Sequence, residues 1–268
     1  MRFFLADRIL KTIRRVLAAR PFGGRALSPH EIDLAELDFT RSSYGPWLLT
    51  SPDDQTFHFC VRGYGPLIAD ALKARKRDFL FLDIGANVGI FSLVAAGMPR
   101  CRAVIAIEPV PDTFRKLEIN TRRNRAGKVT PVRGAVCGGH KRDVHLSYNP
   151  LHSGMASLSK KRGGAVRAPA LRARDLSKLV PAHWERIVVK IDVEGSELEV
   201  LNELRRTVFY PAVNDILIEM SSLHSGRDGV EAIIAFMRAE GFAEIAKRGG
   251  KEHYDAHYRR PGADPALA

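Results

Sequence analysis

The sequence predicts an α/β domain built on a mostly parallel sheet with helices on both faces. Three observations carry this reading. The apolar run Phe79-Leu80-Phe81-Leu82 leads into an acid, Asp83, and then into two glycines four apart, Gly85 and Gly89. Twenty-five residues after Asp83, a second apolar run, Ala103 to Ile107, ends on another acid, Glu108. Strand, glycine turn, helix, strand and acid form the layout of a nucleotide-binding βαβ unit. Third, the chain alternates regularly, with strand 79–84, helix 88–97, strand 103–107, helix 112–124 and strand 129–136. Such alternation places helices over both faces of parallel strands.

The elements before this unit are less regular. Residues 2–20 have helical spacing, with Leu5, Ile9, Ile13, Val16 and Leu17 on one side and Arg8, Lys11, Arg14 and Arg15 around the rest. A basic amphipathic helix can lie on an anionic bilayer, or pack against its own domain, the commoner fate. Pro21, Gly23 and Gly24 end it, and residues 25–50 are irregular apart from a short helix from Pro29 to Leu37. Phe57 to Val61 reads as a strand, followed by a turn at Gly63 and Gly65 and a helix from Pro66 to Ala74.

After strand 129–136 the rhythm breaks. Val144 to Tyr148 and Ala156 to Leu158 suggest a β-hairpin insertion around Asn149-Pro150, followed by a basic loop from Lys160 to Gly164. Helix 175–179, strand Ile187 to Ile191, helix Ser196 to Arg206 and strand Asp215 to Glu219 restore the alternation. Helix 229–240 and an antiparallel C-terminal strand pair, 242–247 and 252–258, close the fold. The expected organisation is an N-terminal extension (1–50), one domain (51–260) and a Pro/Ala-rich tail expected to be disordered (261–268).

Composition narrows the possibilities. The 268 residues are 45% apolar, ample for one core. Cys60, Cys101 and Cys137 are odd in number and widely spaced, which points to ordinary thiols in a reducing compartment. The net charge of +12 is substantial, but its basic residues are scattered and no run alternates with aromatics as a single-strand platform would. Nucleic acid is therefore not the expected partner. No stretch approaches the 18 or so apolar residues of a membrane span. The expected location is cytoplasmic, with peripheral contact at the inner membrane face through residues 2–20 as the alternative. Oligomeric state is left open.

The glycine turn selects among nucleotide ligands. A dinucleotide site needs G-x-G-x-x-G so that a pyrophosphate can sit against bare backbone. Here Asn87 replaces the middle glycine in Gly85-Ala86-Asn87-Val88-Gly89, so no matching pyrophosphate seat is present. A ligand ending in a carboxylate and an ammonium, such as the methionyl part of S-adenosylmethionine, suits the turn better. N–H groups at the helix start can meet the carboxylate, and Asp83 can attract the ammonium. Glu108, ending the next strand, can accept both ribose hydroxyls.

A third motif is Val188-Val189-Lys190-Ile191-Asp192-Val193-Glu194-Gly195-Ser196-Glu197. It carries Lys190 and Asp192 on a buried strand and Glu194 at its carboxyl end, where ligands bind in open α/β sheets. Glu197 and Glu199 read as helix-start residues complementing the helix dipole. Asp192 and Glu194 read as site residues, because ionisable groups at such a strand end are costly unless they pair or act.

The runs LDIGANVGIFSL, AIEPVPDTFRKLEINTRRN, VVKIDVEGSELEVL and ILIEM together resemble the FkbM family of S-adenosylmethionine-dependent methyltransferases, over residues 55–245 and in the family's order. His152 to Leu158 is similar to the family's small-residue hairpin, whereas Ala173-Arg174-Asp175 departs from a common Thr-Leu-Asp. The resemblance implies a class I methyltransferase, Rossmann-like fold and O-methylation of a sugar, glycolipid, polyketide or other small acceptor, an anionic one being suggested by the charge. It places Asp83, Gly85, Asn87 and Gly89 at the methionyl end, Glu108 on the ribose, and Ala135 and Val136 near the adenine. Asp192 or Glu194 would take the acceptor proton, with Lys190 pairing one of them. Asp192, Glu194 and Glu219 are hard oxygen donors for a divalent cation, but no ligand spacing compels a metal. The rivals are an RNA methyltransferase, a nicotinamide oxidoreductase and a non-catalytic binding protein on the same fold.

Overall fold

The computed structural model describes residues 32–140, 142–158, 164–180 and 183–261. The helix expected at 2–20, the first residues of the short helix from Pro29, most of the basic loop from Lys160 and all of the tail after Pro261 lie outside these residues. A short hairpin, Phe39–Arg41 (β1) and Trp47–Leu49 (β2), precedes two helices, Gln55–Arg62 (α1) and Pro66–Lys73 (α2). The expected alternation follows as Phe79–Ile84 (β3), Ile90–Ala96 (α3), Cys101–Glu108 (β4), Pro111–Arg123 (α4) and Val129–Arg133 (β5). A small side sheet comes next, Ala135–Val136 (β6), Asp143–Tyr148 (β7) and Gly164–Leu171 (β8). The chain then runs through Ala173–Leu179 (α5), Ile187–Ile191 (β9), Glu197–Arg205 (α6), Val213–Ser221 (β10), Ser222–Ala239 (α7), Ala243–Gly249 (β11) and His253–Arg259 (β12).

The main sheet has seven strands in the order β11-β12-β10-β9-β3-β4-β5. The five from β10 to β5 are parallel, and β12 and β11 pair antiparallel at one edge, as expected. β3 shows why the centre reads as an unbroken apolar run. Leu80, Leu82 and Ile84 pack into the core on one face, while Phe79 and Phe81 pack into the core on the other. A strand covered on both sides needs apolar residues at both parities. Successive strands run outward from β3 in one direction and from β9 in the other. The crevice beyond the carboxyl ends of β3 and β9 is therefore the ligand-binding switch point of an open α/β sheet.

Four expectations change. Phe57 to Val61 lies within helix α1. Asp54 caps it by accepting from the Thr56 N–H at 3.1 Å, Gly63 closes it in the left-handed region, and Phe57 and Cys60 are buried three apart on one face. The single strand expected over 129–136 breaks at Gly134, so that β6 leaves the main sheet and pairs with β8. The partner of β7 is mainly β8; Ala156 to Leu158 contributes a lone bridge, Ser147 to Ser157. Helix α7 starts seven residues before the expected 229, directly after β10, and bends where Gly226 leaves helical geometry. Asp175 accepts from the Arg172 N–H at 3.1 Å, so the first turn of α5 is capped despite the departure at Ala173-Arg174.

All three cysteines are free and buried. Burial pushes the Cys60 thiol up to about 12 and the Cys101 and Cys137 thiols up to about 11, so none supplies a thiolate nucleophile. Among the described residues, no helix is long and apolar enough to cross a membrane.

Asp215, four residues before Glu219 on β10, anchors the far part of this sheet. It pairs with Arg75 at 2.6 Å, Arg259 at 2.7 Å and His257 at 2.6 Å, and is 3% exposed. Burial would raise its carboxyl, but His257, Arg75 and Arg259 outweigh that and hold it below the ordinary value. D215N removes the anion shared by Arg75, Arg259 and His257, which costs about 3–5 kcal/mol. The expected result is a melting midpoint lower by roughly 10 °C. Because the folded value is depressed, the stabilisation from Asp215 is present above its unfolded pKa and is lost as pH falls through the folded one. Thermal melts of wild type and D215N should therefore converge in acid.

Candidate active site

A cavity of about 350 Å³ opens at the carboxyl ends of β3, β4, β9 and β10. A volume of this size suits a small ligand. Gly85, Asn87, Glu108, Ala135, Val136, Lys190, Asp192 and Glu194, all singled out from the sequence, line it. Asp83 and Gly89 do not. Asp83 is fully buried beneath the turn, accepting from Ser92 Oγ at 2.6 Å. Gly89 starts α3 at φ +88°, where an added Cβ would overlap Leu117 on α4.

The turn from Gly85 to Gly89 is closed by its own hydrogen bonds. The Gly85 and Ala86 N–H groups both donate to the Ile107 carbonyl, at 3.0 and 2.9 Å. The Asn87 N–H donates to Glu108 Oε2 at 2.9 Å, the Val88 N–H to Asn87 Oδ1 at 2.7 Å and the Gly89 N–H to the Ala86 carbonyl at 2.8 Å. Every amide of the turn proper is thus satisfied internally, and no pyrophosphate cradle remains. Asn87 stands where a dinucleotide site has its middle glycine. It adopts φ +50°, a left-handed geometry that asparagine tolerates.

Glu108 is 4% exposed, with its second oxygen accepting from the Val110 N–H at 2.9 Å. Burial pushes its carboxyl up to about 7, against the lowering effect of the Val110 and Asn87 amides. Further donors, such as a vicinal diol, would favour the ionised form.

Lys190 joins the two sides of the switch point. Its register partner on β3 is Asp83, and its Nζ lies 3.4 Å from Asp83 Oδ1 and 3.3 Å from Asp192 Oδ2 while donating to the Gly85 carbonyl at 2.7 Å. Burial would lower its pKa, but Asp192 and Asp83 outweigh this and hold it protonated. An ammonium held this firmly is no proton acceptor. With two carboxylates around one cation the group is net negative, which favours a cationic ligand.

Beyond Asp192 the chain takes an unusual path. Glu194 has φ +56° and Gly195 φ +105°, and the Glu194 carbonyl accepts from Ser157 Oγ at 2.8 Å. A left-handed glutamate costs about 1–3 kcal/mol and marks a constrained site. The bend brings Glu194 Oε2 to 2.6 Å from Nδ1 of His224. Sequence reading missed His224, because helix α7 was expected only from residue 229. It also missed Tyr64, read as part of a turn, whose hydroxyl donates to Glu219 Oε1 at 3.0 Å. Glu219 is buried and its carboxyl lies well above the ordinary range, through burial first and then the charges of Asp192 and Glu194. His253, from the C-terminal strand pair, stands 3.4 Å from Glu219 Oε1. Pairing partners 30 to 155 residues apart leave no local signal of their contact.

The Methyltransferase FkbM domain profile matches residues 83–243, more than half of the chain. The chain belongs to the FkbM methyltransferase family. It is 28% identical over 197 residues to the hexuronic acid methyltransferase AglP of Haloferax volcanii, covering 72% of this chain and 76% of that protein. It is 26% identical over 205 residues to the 31-O-demethyl-FK506 methyltransferase FkbM of Streptomyces tacrolimicus, covering 66% and 77% respectively. The protein is accordingly an S-adenosylmethionine-dependent methyltransferase, and the nicotinamide alternative falls away.

Gly85 tests how this FkbM methyltransferase joins turn and sheet. It has φ +79°, and an added Cβ would overlap the Asp192 carbonyl oxygen on the neighbouring strand end. Gly139 has a similar φ, +76°, but nothing lies within 4 Å of an added Cβ. G139A should cost about 1 kcal/mol, from the backbone alone. G85A should lose far more, with cofactor binding abolished in whatever protein remains folded. Paired thermal melts and calorimetric titrations check this, and equal behaviour of the two variants contradicts it.

Proposed function

We propose that the enzyme transfers the methyl group of S-adenosylmethionine to a hydroxyl oxygen of a small metabolite of the sugar, glycolipid or polyketide type. The observation that carries this is the division of the cavity lining. The glycine turn, Glu108, Ala135 and Val136 line one part, while Asp192, Glu194, Glu219 and His224 gather at the ends of β9 and β10. An alcohol acceptor needs a proton acceptor, and this second part supplies candidates. The names of the two relatives, a hexuronic acid methyltransferase and a 31-O-demethyl-FK506 methyltransferase, support an oxygen acceptor on a small molecule.

The residues fit the cofactor. Glu108 would accept the ribose hydroxyls, Ala135 and Val136 would flank the adenine, and Gly85 and Asn87 would border the methionyl end. The net negative Asp83–Lys190–Asp192 group would favour the cationic sulfonium over the neutral product. When bound, the cofactor supplies an electrophilic methyl group whose transfer leaves a thioether. Buried Phe91 and the half-exposed Phe59 and Met155 give the cavity an apolar wall. Asp192 is tied to Lys190, so its part is to hold charge and position. Glu194, paired with His224, would take the acceptor's proton.

E194Q should lower kcat by about 10²–10⁴-fold with S-adenosylmethionine affinity retained, whereas D192N should weaken cofactor binding as well. Mass spectrometry of extracts from a strain lacking the protein should show a metabolite lighter by one methyl, which becomes the assay substrate. Full turnover by E194Q would remove Glu194 from the mechanism, and methylation of tRNA in place of that metabolite would restore the RNA reading.

Ribose binding favours ionised Glu108, whose carboxyl in the free protein sits at about 7. Affinity for S-adenosylmethionine should be full above that value and fall as pH drops through it, approaching tenfold per unit at the limit. E108Q should bind more weakly and lose this slope. Calorimetric titration between weakly acidic and weakly basic pH measures both effects.

A further inference from the structure

Where β9 and β10 end, Glu194, Glu219 and His224 bring ligand atoms within 4.8 Å of one another. We propose that these three side chains form a binding site for a divalent first-row metal ion of the Mn²⁺ type, with open positions facing the acceptor part of the cavity. The first observation is Glu219. It is 4% exposed and lines the cavity, yet its Oε2 is buried with no hydrogen-bond partner among the described residues. A buried carboxyl oxygen without a partner is costly in either protonation state, and a cation that displaces its proton is a ligand that would satisfy it. Lys190 does not meet that need, since its Nζ is engaged by Asp83, Asp192 and the Gly85 carbonyl.

The second observation is how the backbone is shaped to assemble the group. Glu194 takes the left-handed φ of +56°, and Gly195 follows at φ +105°. A Cβ on Gly195 would come to 3.1 Å from the His224 carbonyl oxygen, so the glycine lets the loop after β9 press against the start of α7. Three ligands from three separate segments then converge on one point. Two carboxylates and an imidazole suit Mn²⁺, Fe²⁺ or Zn²⁺ better than an all-oxygen ion such as Ca²⁺. Three protein ligands also leave positions open, as catalytic metal sites do. His253, whose Nε2 is 3.4 Å from Glu219 Oε1, offers a further nitrogen at the solvent edge. With an ion held here, Glu194 and His224 would serve as its ligands, and a hydroxyl bound to the ion, made more acidic by it, would lose its proton to water.

Ion binding does not depend on the identity of the acceptor or on methyl transfer, so it is measured without either substrate. The full chain is stripped with a chelator and titrated with MnCl₂, following loss of the free Mn²⁺ electron paramagnetic resonance signal. The expected result is saturation at one ion per chain, with affinity reduced at least about tenfold in both E219Q and H224A. Far-UV circular dichroism and S-adenosylmethionine binding establish that each variant is folded. Failure of folded wild-type protein to bind Mn²⁺ stoichiometrically overturns the proposal, as does undiminished binding in E219Q and H224A.

Discussion

The Lys190 ammonium lies between two carboxylates and a backbone carbonyl at the junction of β3 and β9, almost wholly out of water. Removing such a charge from water costs several kcal/mol, and the cost is offset only where the partners are fixed. Asp83 is fixed from below by Ser92, and Asp192 by its own N–H, which donates to the Ile84 carbonyl on β3 at 3.1 Å. The Gly85 carbonyl is fixed by the turn's own hydrogen bonds to β4. A slip of one residue between β3 and β9 would move Asp83 and Lys190 to different faces of the sheet. The ion group therefore sets the register at the centre of the sheet and, with it, the position of every other lining residue.

The surrounding geometry follows from that junction. With β3 and β9 held in this register, the Asp192 carbonyl lies against Gly85, which excludes any side chain there. The chain then leaves β9 in a direction that requires left-handed geometry at Glu194 and Gly195. This tight exit points Glu194 toward β10 and the first turn of α7, where His224 stands. The Lys190 junction and the acid-rich group beside it are thus parts of one arrangement. The junction stabilises two of the carboxylates, Asp83 and Asp192. Glu194 and Glu219 rely on His224, Tyr64 and His253 instead.

The difference between these sets of partners explains what the sequence could reveal. β3, β4, β9 and β10 were readable because strands buried on both faces must be apolar throughout, leaving Asp83, Glu108, Lys190 and Glu219 conspicuous within or at the end of their runs. The turn was readable because its glycines reflect backbone conformation, a local property. Tyr64, His224 and His253 carry no such mark. Each sits on an ordinary polar stretch, and its importance comes from a partner distant in the chain. The same limit accounts for α1, whose short apolar alternation fits a strand until Asp54 and Gly63 are recognised as its caps.

Asn87 shows how a local departure acquires meaning only in three dimensions. In the linear sequence it is a missing glycine. In the fold its side chain accepts from the Val88 N–H while its own N–H donates to Glu108, so one residue closes the turn and anchors the second-strand acid. Glycine at this position could supply the backbone geometry but not the side-chain acceptor. A dinucleotide turn leaves its amides for a pyrophosphate; this turn directs them to Ile107, Glu108, Asn87 and Ala86. In the proposed function, recognition of the nucleoside would then rest on Glu108 and the cavity walls, and discrimination between the sulfonium cofactor and its neutral product on the net negative charge of the Asp83–Lys190–Asp192 group.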